Sequence, residues 1–250
     1  EPARSQLKAS VFRDVIAASE RALAGRWTTY VLSNHDIPRH YDRLGDGKHN
    51  DEIAKLTATM LLTLRGTPFL YYGEEIGMVT TEPKTVEEVR DPVGKRYWPL
   101  RKGRDGERTP MQWDASQHAG FTTGRPWLKI PASAASRNVA AQEKDADSIL
   151  SFYKRLIRLR RTSAALLDGD YASLGSDPHV YAYRRSAPRQ TMIVALNMSA
   201  ESRKLRLDES AVGKHNGLRV RLSNQAGSEN RTVRGELSLA PYEALILEVK

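Results

Sequence analysis

Two short clusters carry residue types that could do chemistry. Asn34-His35-Asp36 follows the run Trp27-Thr28-Thr29-Tyr30-Val31-Leu32, and Gly73-Glu74-Glu75 follows Pro68-Phe69-Leu70-Tyr71-Tyr72. Both runs are apolar, β-branched or aromatic and read as short buried strands. Each cluster therefore stands where a strand hands over to a loop. In parallel α/β folds, functional groups gather at these carboxyl ends. An aspartate beside a histidine there can hold polar ligand groups or tune a reaction. Spacing alone does not separate that from a turn-capping aspartate and a satisfied core histidine. Glu74 and Glu75 have the look of an acid/base pair, but a stabilised turn or a partner for an arginine is the simpler reading.

The elements that must position these clusters follow from periodicity. Val11, Phe12, Val15, Ile16, Ser19, Ala22 and Leu23 share one helical stripe from about Lys8 to Leu23, and Gly25 supplies a stop. Ile53, Leu56, Thr57, Met60, Leu61 and Leu64 predict a second helix that starts near Asn50 or Asp51 and ends before Gly66. Strand, helix and strand with short connections make a βαβ unit, with parallel strands and a right-handed crossover. Periodicity fades from Met78 to about Lys144, in a long loop rich in Pro, Gly, Arg and Trp. It returns at Ile149, Phe152, Tyr153, Leu156 and Ile157. Arg158, Arg160 and Arg161 close that third helix, where cations complement the helix dipole. After Leu167 the texture changes to short alternating runs: Val180–Tyr183, Met192–Leu196, Lys204–Leu207, Leu218–Leu222, Glu236–Leu239 and Ala244–Leu247. They predict an antiparallel β-sandwich over 168–250, with a domain boundary near Leu167.

Composition narrows the classes. Across 250 residues, Lys+Arg is 39 and Asp+Glu is 30, a formal charge of +9. A solvated basic surface accounts for this, and no helix-turn-helix, zinc or RNA-recognition signature supports a nucleic-acid partner. Cysteine is absent, which excludes disulfides, thiolate metal sites and a cysteine nucleophile. No apolar run reaches the roughly 18 residues of a membrane span, and Glu1-Pro2-Ala3-Arg4-Ser5 carries no apolar signal core. Gly45-Asp46-Gly47-Lys48 lacks phosphate-loop spacing, and His40 and His49 form no credible metal pair. Neither cofactor nor metal is expected. Asn197-Met198-Ser199 and Asn230-Arg231-Thr232 match the glycosylation pattern only weakly.

Longer motifs carry a resemblance. Val31-Leu32-Ser33-Asn34-His35-Asp36-Ile37-Pro38-Arg39 resembles the seventh-strand motif of the alpha-amylase family of glycoside hydrolases. The stretch from Thr67 to Met78 is similar to that family's eighth strand. Gly103-Arg104-Asp105-Gly106-Glu107-Arg108-Thr109-Pro110-Met111-Gln112-Trp113-Asp114 resembles a segment of its alpha-glucosidase and oligo-1,6-glucosidase branch. The resemblance implies an α/β fold, namely the last part of a (β/α)8 TIM barrel (strands seven and eight, helices six to eight) over 1–167, followed by an antiparallel all-β C-terminal domain. It also implies a retaining glycosidase that hydrolyses or transfers glucose from short α-linked glucosides, with two working carboxylates and a third that steadies the transition state. Asp36 matches that third, catalytic carboxylate. His35 and Arg104 match substrate-binding groups at the same glucose, and Arg39 is expected to line the neighbouring subsite. Trp113 and Trp127 either stack on sugar faces or fill core under the long loop.

By the same resemblance, the nucleophile and general acid precede residue 1, so the partners expected are a short α-glucoside and the missing N-terminal barrel portion. The 250 residues alone are expected to be inactive. Trehalose synthases and sucrose-active enzymes of the family are alternatives, as is a non-catalytic binding or scaffold relative on the same fold. Family habit points to a bacterial cytoplasm or periplasm. Two strands cannot close a barrel, so exposed apolar helix faces are expected near Leu61 and Leu156, with an unpaired edge on Thr28–Leu32.

Overall fold

A computed structural model describes residues 7–23, 25–175, 177–207, 213 and 217–250. The chain falls into two compact units. One is drawn from residues 31–54 and 69–152, the other from the described residues of 7–30, 55–68 and 153–250.

In chain order the elements are α1 (Ala9–Leu23), β1 (Thr29–Val31), α2 (His40–Arg43), α3 (Asn50–Thr63), β2 (Thr67–Phe69), α4 (Pro92–Tyr97), α5 (Val139–Gln142), α6 (Ile149–Arg161) and α7 (Ala164–Asp168). Among the described residues there follow the strands β3 (Asp170–Leu174), β4 (Val180–Ala187), β5 (Gln190–Asn197), β6 (Arg203–Leu205), β7 (Leu218–Ser223), β8 (Thr232–Val233), β9 (Leu237–Leu239) and β10 (Ala244–Val249). The three long helices lie where their periodicity places them. The short α2, α4, α5 and α7 lie in stretches without a readable period. α7 is capped by Ser163 Oγ, which accepts the Leu166 N–H at 3.2 Å.

β1 and β2 pair in a two-stranded sheet, the Thr67 N–H donating to Thr28 O at 2.8 Å. Among the described residues neither has another partner strand, and Val31 and Phe69 stand exposed. The other sheets belong to the second unit. Six antiparallel strands run in the order β3-β4-β5-β10-β7-β8, and β6 pairs with β9 in a small sheet. Alternation divides the faces of β4. Val180 and Ala182 join Leu205, Leu237 and Leu239 of the small sheet in one core. Tyr183 points the other way, its hydroxyl meeting Thr63 Oγ1 at 2.5 Å.

The apolar exposure expected on α3 and α6 is not there: Leu61 and Leu156 are 2% and 0% exposed. Exposed apolar helix residues lie elsewhere, among them Val11 and Val15 of α1, Val93 and Tyr97 of α4 and Leu167 of α7. The physical reason lies at the C-terminal end of α3, whose last carbonyls have no intrahelical donor. Arg160 Nη1 and Nη2 donate to Leu62 O at 2.6 Å and Gly66 O at 2.8 Å, and Arg185 Nη1 donates to Thr63 O at 2.5 Å. Arg185 Nε and Nη2 also hold Gly169 O at 3.1 and 3.0 Å. Arg160, read from sequence as complementing its own helix, thus also closes the end of α3. Asn197 is buried, and its Nδ2 donates to Glu201 O and Ala240 O at 2.7 Å each, so it offers no glycosylation site.

Removing the Arg185 guanidinium strands two buried carbonyls. Arg185→Met is expected to cost about 2–4 kcal/mol, read as a lowered urea midpoint with an unchanged slope. An unchanged midpoint would show that the arginine braces nothing.

Candidate active site

The turn after β1 is folded by its own residues. Asn34 and Ile37 form an antiparallel bridge, and Asn34 Oδ1 accepts the Asp36 N–H at 2.8 Å. Asn begins turns in this way because its short side chain replaces a backbone acceptor. The turn lifts His35 and Asp36 into solvent, their side chains 67% and 50% exposed.

Two arginines from the loop 103–108 reach the Asp36 carboxylate. Arg104 Nη1 donates to Oδ1 at 2.8 Å and Arg108 Nη2 to the same oxygen at 3.2 Å. Arg108 Nε also donates to His35 O at 2.8 Å, so one guanidinium fixes both backbone and side chain of the tip. His35 Nε2 stands 3.5 Å from Oδ2.

Arg104 is set from behind. The buried Asp91 accepts the Arg104 backbone N–H and Nε on Oδ2, each at 2.8 Å, and Nη2 on Oδ1 at 3.3 Å. Its Oδ1 also accepts the Val93 N–H at 3.0 Å, capping α4 ahead of Pro92. Asp105 Oδ2 in turn accepts the N–H groups of Arg90 and Asp91 at 2.6 and 3.0 Å. Charge-assisted bonds of this kind are short and directional. Asp105 orients Asp91, Asp91 orients Arg104, and Arg104 orients Asp36.

The same contacts set the protonation states. The Arg104 hydrogen bond holds Asp36 below the usual carboxylate range, helped by the charges of His35 and Arg108. The Arg104 guanidinium holds Asp91 down at about 2, and the two carboxylates push the arginine up. Asp36 is therefore an ionised acceptor at neutral pH. It can grip hydroxyl groups and face developing positive charge, and it cannot serve as a proton donor there.

Arg39 does not join this group. It is 1% exposed, with Nη1 and Nη2 donating to Tyr72 O at 2.6 Å and Glu107 O at 2.9 Å. Its guanidinium lies 5.1 and 4.8 Å from the ring centres of Tyr71 and Tyr72. In place of the subsite-lining role expected from the motif, it ties the loop after β2 to the loop 103–108 from inside. Glu74 is buried 3.5 Å from His40 Nδ1, on a one-turn 3₁₀ helix over Glu74–Ile76. The turn needs Gly73 (φ 83°), because a Cβ there would lie 2.4 Å from Met78 Sδ. Glu75 is half-buried, and burial raises its pKa. Burial likewise pushes Glu107 up to about 7. Among the described residues no cluster of three His, Asp or Glu side chains could hold a metal ion.

The family model of the alpha-amylase catalytic domain matches residues 4–169, and that of the alpha-amylase C-terminal domain matches residues 169–241. The chain belongs to the alpha-amylase family. Within that family it is 35% identical to an oligo-1,6-glucosidase of Parageobacillus thermoglucosidasius over 92% of this chain and 44% of that one. It is 32% identical to a glucan 1,6-alpha-glucosidase of Streptococcus pneumoniae over 92% of this chain and 45% of that one. Among solved structures, an isomaltulose synthase of Klebsiella sp. LX3 superposes with a TM-score of 0.85 at 30% identity, covering 96% of this chain and 46% of that one. A trehalulose synthase of Pseudomonas mesoacidophila MX-45 gives 0.83 at 33%, with the same coverage. The chain thus spans less than half the length of these alpha-amylase family relatives. The α/β barrel portion followed by an antiparallel all-β region agrees with the family architecture. No helix among the described residues is long and apolar enough to cross a membrane.

Sequence reasoning missed Asp91 and Arg108 as parts of the site. Asp91-Pro92 carries an N-cap signal followed by proline at the first helical position, which could have flagged a caged carboxylate. Because the folded pKa of Asp91 lies below its ordinary 3.8, the clamp contributes fully above pH 3.8 and is lost as pH falls toward about 2. The Arg104 Nε–H resonance is therefore expected to stay protected from solvent exchange from pH 7 to 4 and to lose protection only as pH falls toward about 2. Loss of protection between pH 7 and 5 would contradict the clamp.

Proposed function

We propose that this chain supplies the third carboxylate, and part of the glucose pocket, of a retaining α-glucosidase acting on short α-linked glucosides. The observation that carries the reading is Asp36. It is solvent-facing at a strand exit and kept ionised by Arg104 and Arg108, at the position where the alpha-amylase family motif puts such a group. An ionised carboxylate there accepts hydrogen bonds from sugar hydroxyls and stabilises the positive charge that develops as the glycosidic bond breaks. His35 presents a second polar edge to the same sugar, and Arg104 closes its far side. Nucleophile and general acid come, by the same resemblance, from outside these 250 residues. Residues 1–167 act as the barrel portion and 168–250 as the C-terminal β-domain, the join falling where α7 gives way to β3.

Transfer to a sugar acceptor is a second reading, favoured by the likeness to isomaltulose and trehalulose synthases. The caged carboxylate serves both outcomes, since hydrolysis and transfer share the step that breaks the first bond. A purely scaffolding role fits less well with an aspartate held ionised and open to solvent.

In the longer protein that includes this chain, Asp36→Asn is expected to lower kcat on isomaltose or maltose on the order of 10²–10³-fold, with the fold intact by circular dichroism. The 250 residues alone should give no sustained turnover of a nitrophenyl α-glucoside. Undiminished kcat in the variant, or turnover by the 250 residues that Asp36→Asn abolishes, would each defeat the proposal.

A further inference from the structure

Glu74 is a buried carboxylate that the clamp at Asp36 leaves unused. Glu74, His40 and Ser33 are 2%, 1% and 0% exposed. Burying a carboxylate costs free energy unless opposite charge or hydrogen bonds offset it, so its neighbours are informative. His40 and Arg43 share the short α2, and Glu74 opens the 3₁₀ turn after β2. Glu74 Oε1 lies 3.5 Å from His40 Nδ1. Burial pulls the pKa values of Arg39 and Arg43 down, and the Glu74 charge is among the groups that oppose it. Among the described residues neither Glu74 oxygen accepts a hydrogen bond, so the carboxylate acts on these cations through charge.

Those neighbours hold both halves of the clamp. On one side they grip the chain that leads into the Asp36 turn. Arg43 Nη2 donates to Leu32 O. The His40 backbone N–H donates to Ser33 Oγ at 2.8 Å, and the ring Nδ1 meets the same oxygen at 3.0 Å. Leu32 and Ser33 directly precede Asn34, whose side chain folds the turn. On the other side Arg39 Nη2 donates to Glu107 O, in the loop that carries Arg104 and Arg108. One carboxylate therefore serves the strand exit and the arginine loop together.

Serine, histidine and glutamate side by side have the make-up of a nucleophile with its base. The geometry excludes that role. Such a triad gives one ring nitrogen to the hydroxyl and the other to the acid. Here Nδ1 alone faces both groups, and Ser33 is sealed from solvent.

We propose that Glu74 is a positioning residue for Asp36: through His40, Arg43 and Ser33 it fixes the strand exit, and through Arg39 it fixes the loop that supplies Arg104 and Arg108. The proposal rests on the reading of Asp36 given above.

Steady-state kinetics of the longer protein on isomaltose, with solvent exchange of the Arg108 Nε–H, test it. Glu74→Gln keeps the shape and removes the charge. It is expected to lower kcat about five- to twentyfold with KM changed less than about twofold, because a misplaced Asp36 loses contacts that tighten in the transition state. Exchange of the Arg108 Nε–H should quicken on the order of tenfold, as local opening becomes easier. Ser33→Ala, a small change unlike a charge removal, should lower kcat about three- to tenfold. In the Asp36→Asn background both effects on kcat should shrink to less than about twofold, since residues that act through one another are not additive. An equal fall in kcat in that background marks a merely structural role and overturns the proposal. Unchanged kcat and unchanged Arg108 exchange in Glu74→Gln and Ser33→Ala overturn it as well. If Asp36→Asn by itself leaves kcat unchanged, the reading of Asp36 fails, and the Arg108 exchange still reports on the brace, so the two failures give different results.

Discussion

The site depends on one chain of opposite charges, Asp91 to Arg104 to Asp36. A single guanidinium is bonded on two sides by carboxylates, one buried and one in water. The buried end supplies rigidity, since Asp91 is itself fixed by the N-terminus of α4 and by Asp105 behind it. The exposed end presents an ionised carboxylate to solvent. An aspartate at the tip of a turn would otherwise sample many rotamers. Here two arginines address the same oxygen and leave the second facing His35, so orientation is settled before any ligand arrives. Preorganised groups of this kind act without a reorganisation cost at the moment of reaction.

Arginine recurs because its planar fork of donors can bridge several acceptors at once. At the surface it meets carboxylates, and inside it meets backbone carbonyls. Arg39 joins two loops through Tyr72 O and Glu107 O, while Arg160 and Arg185 complete the end of α3. A few of the basic residues, Arg39, Arg160 and Arg185, therefore brace the interior. Buried arginines of this type are costly to remove one at a time, because each would leave carbonyls without a donor.

The sequence made much of this architecture legible, for identifiable reasons. α1, α3 and α6 are long enough to show a helical period, β7 alternates, and β4, β5 and β10 are short apolar runs bounded by turn residues, so their patterns survive without tertiary information. The turn carrying His35 and Asp36 was visible because Asn, Pro and a strand boundary coincide there. Asp91 was hidden in a stretch with no period, where its importance comes from a partner 13 residues away. Arg39 was misjudged for the opposite reason. It sits in a functional motif, but packing between Tyr71 and Tyr72 decides where its side chain goes. The burial of Leu61 and Leu156 and the arginines that close the end of α3 are tertiary features that no local pattern announces.

Among the described residues β1 pairs with β2 alone, and this has a practical side. Val31, Phe69 and Leu70 stand in water on or beside this narrow ribbon, whose outer rims carry backbone donors and acceptors. Such a ribbon is adhesive, and copies of it recruit one another strand by strand. Solubility, more than folding, then sets how concentrated a preparation of these 250 residues can be kept. Co-expression with a complementary polypeptide becomes a natural route to a well-behaved sample.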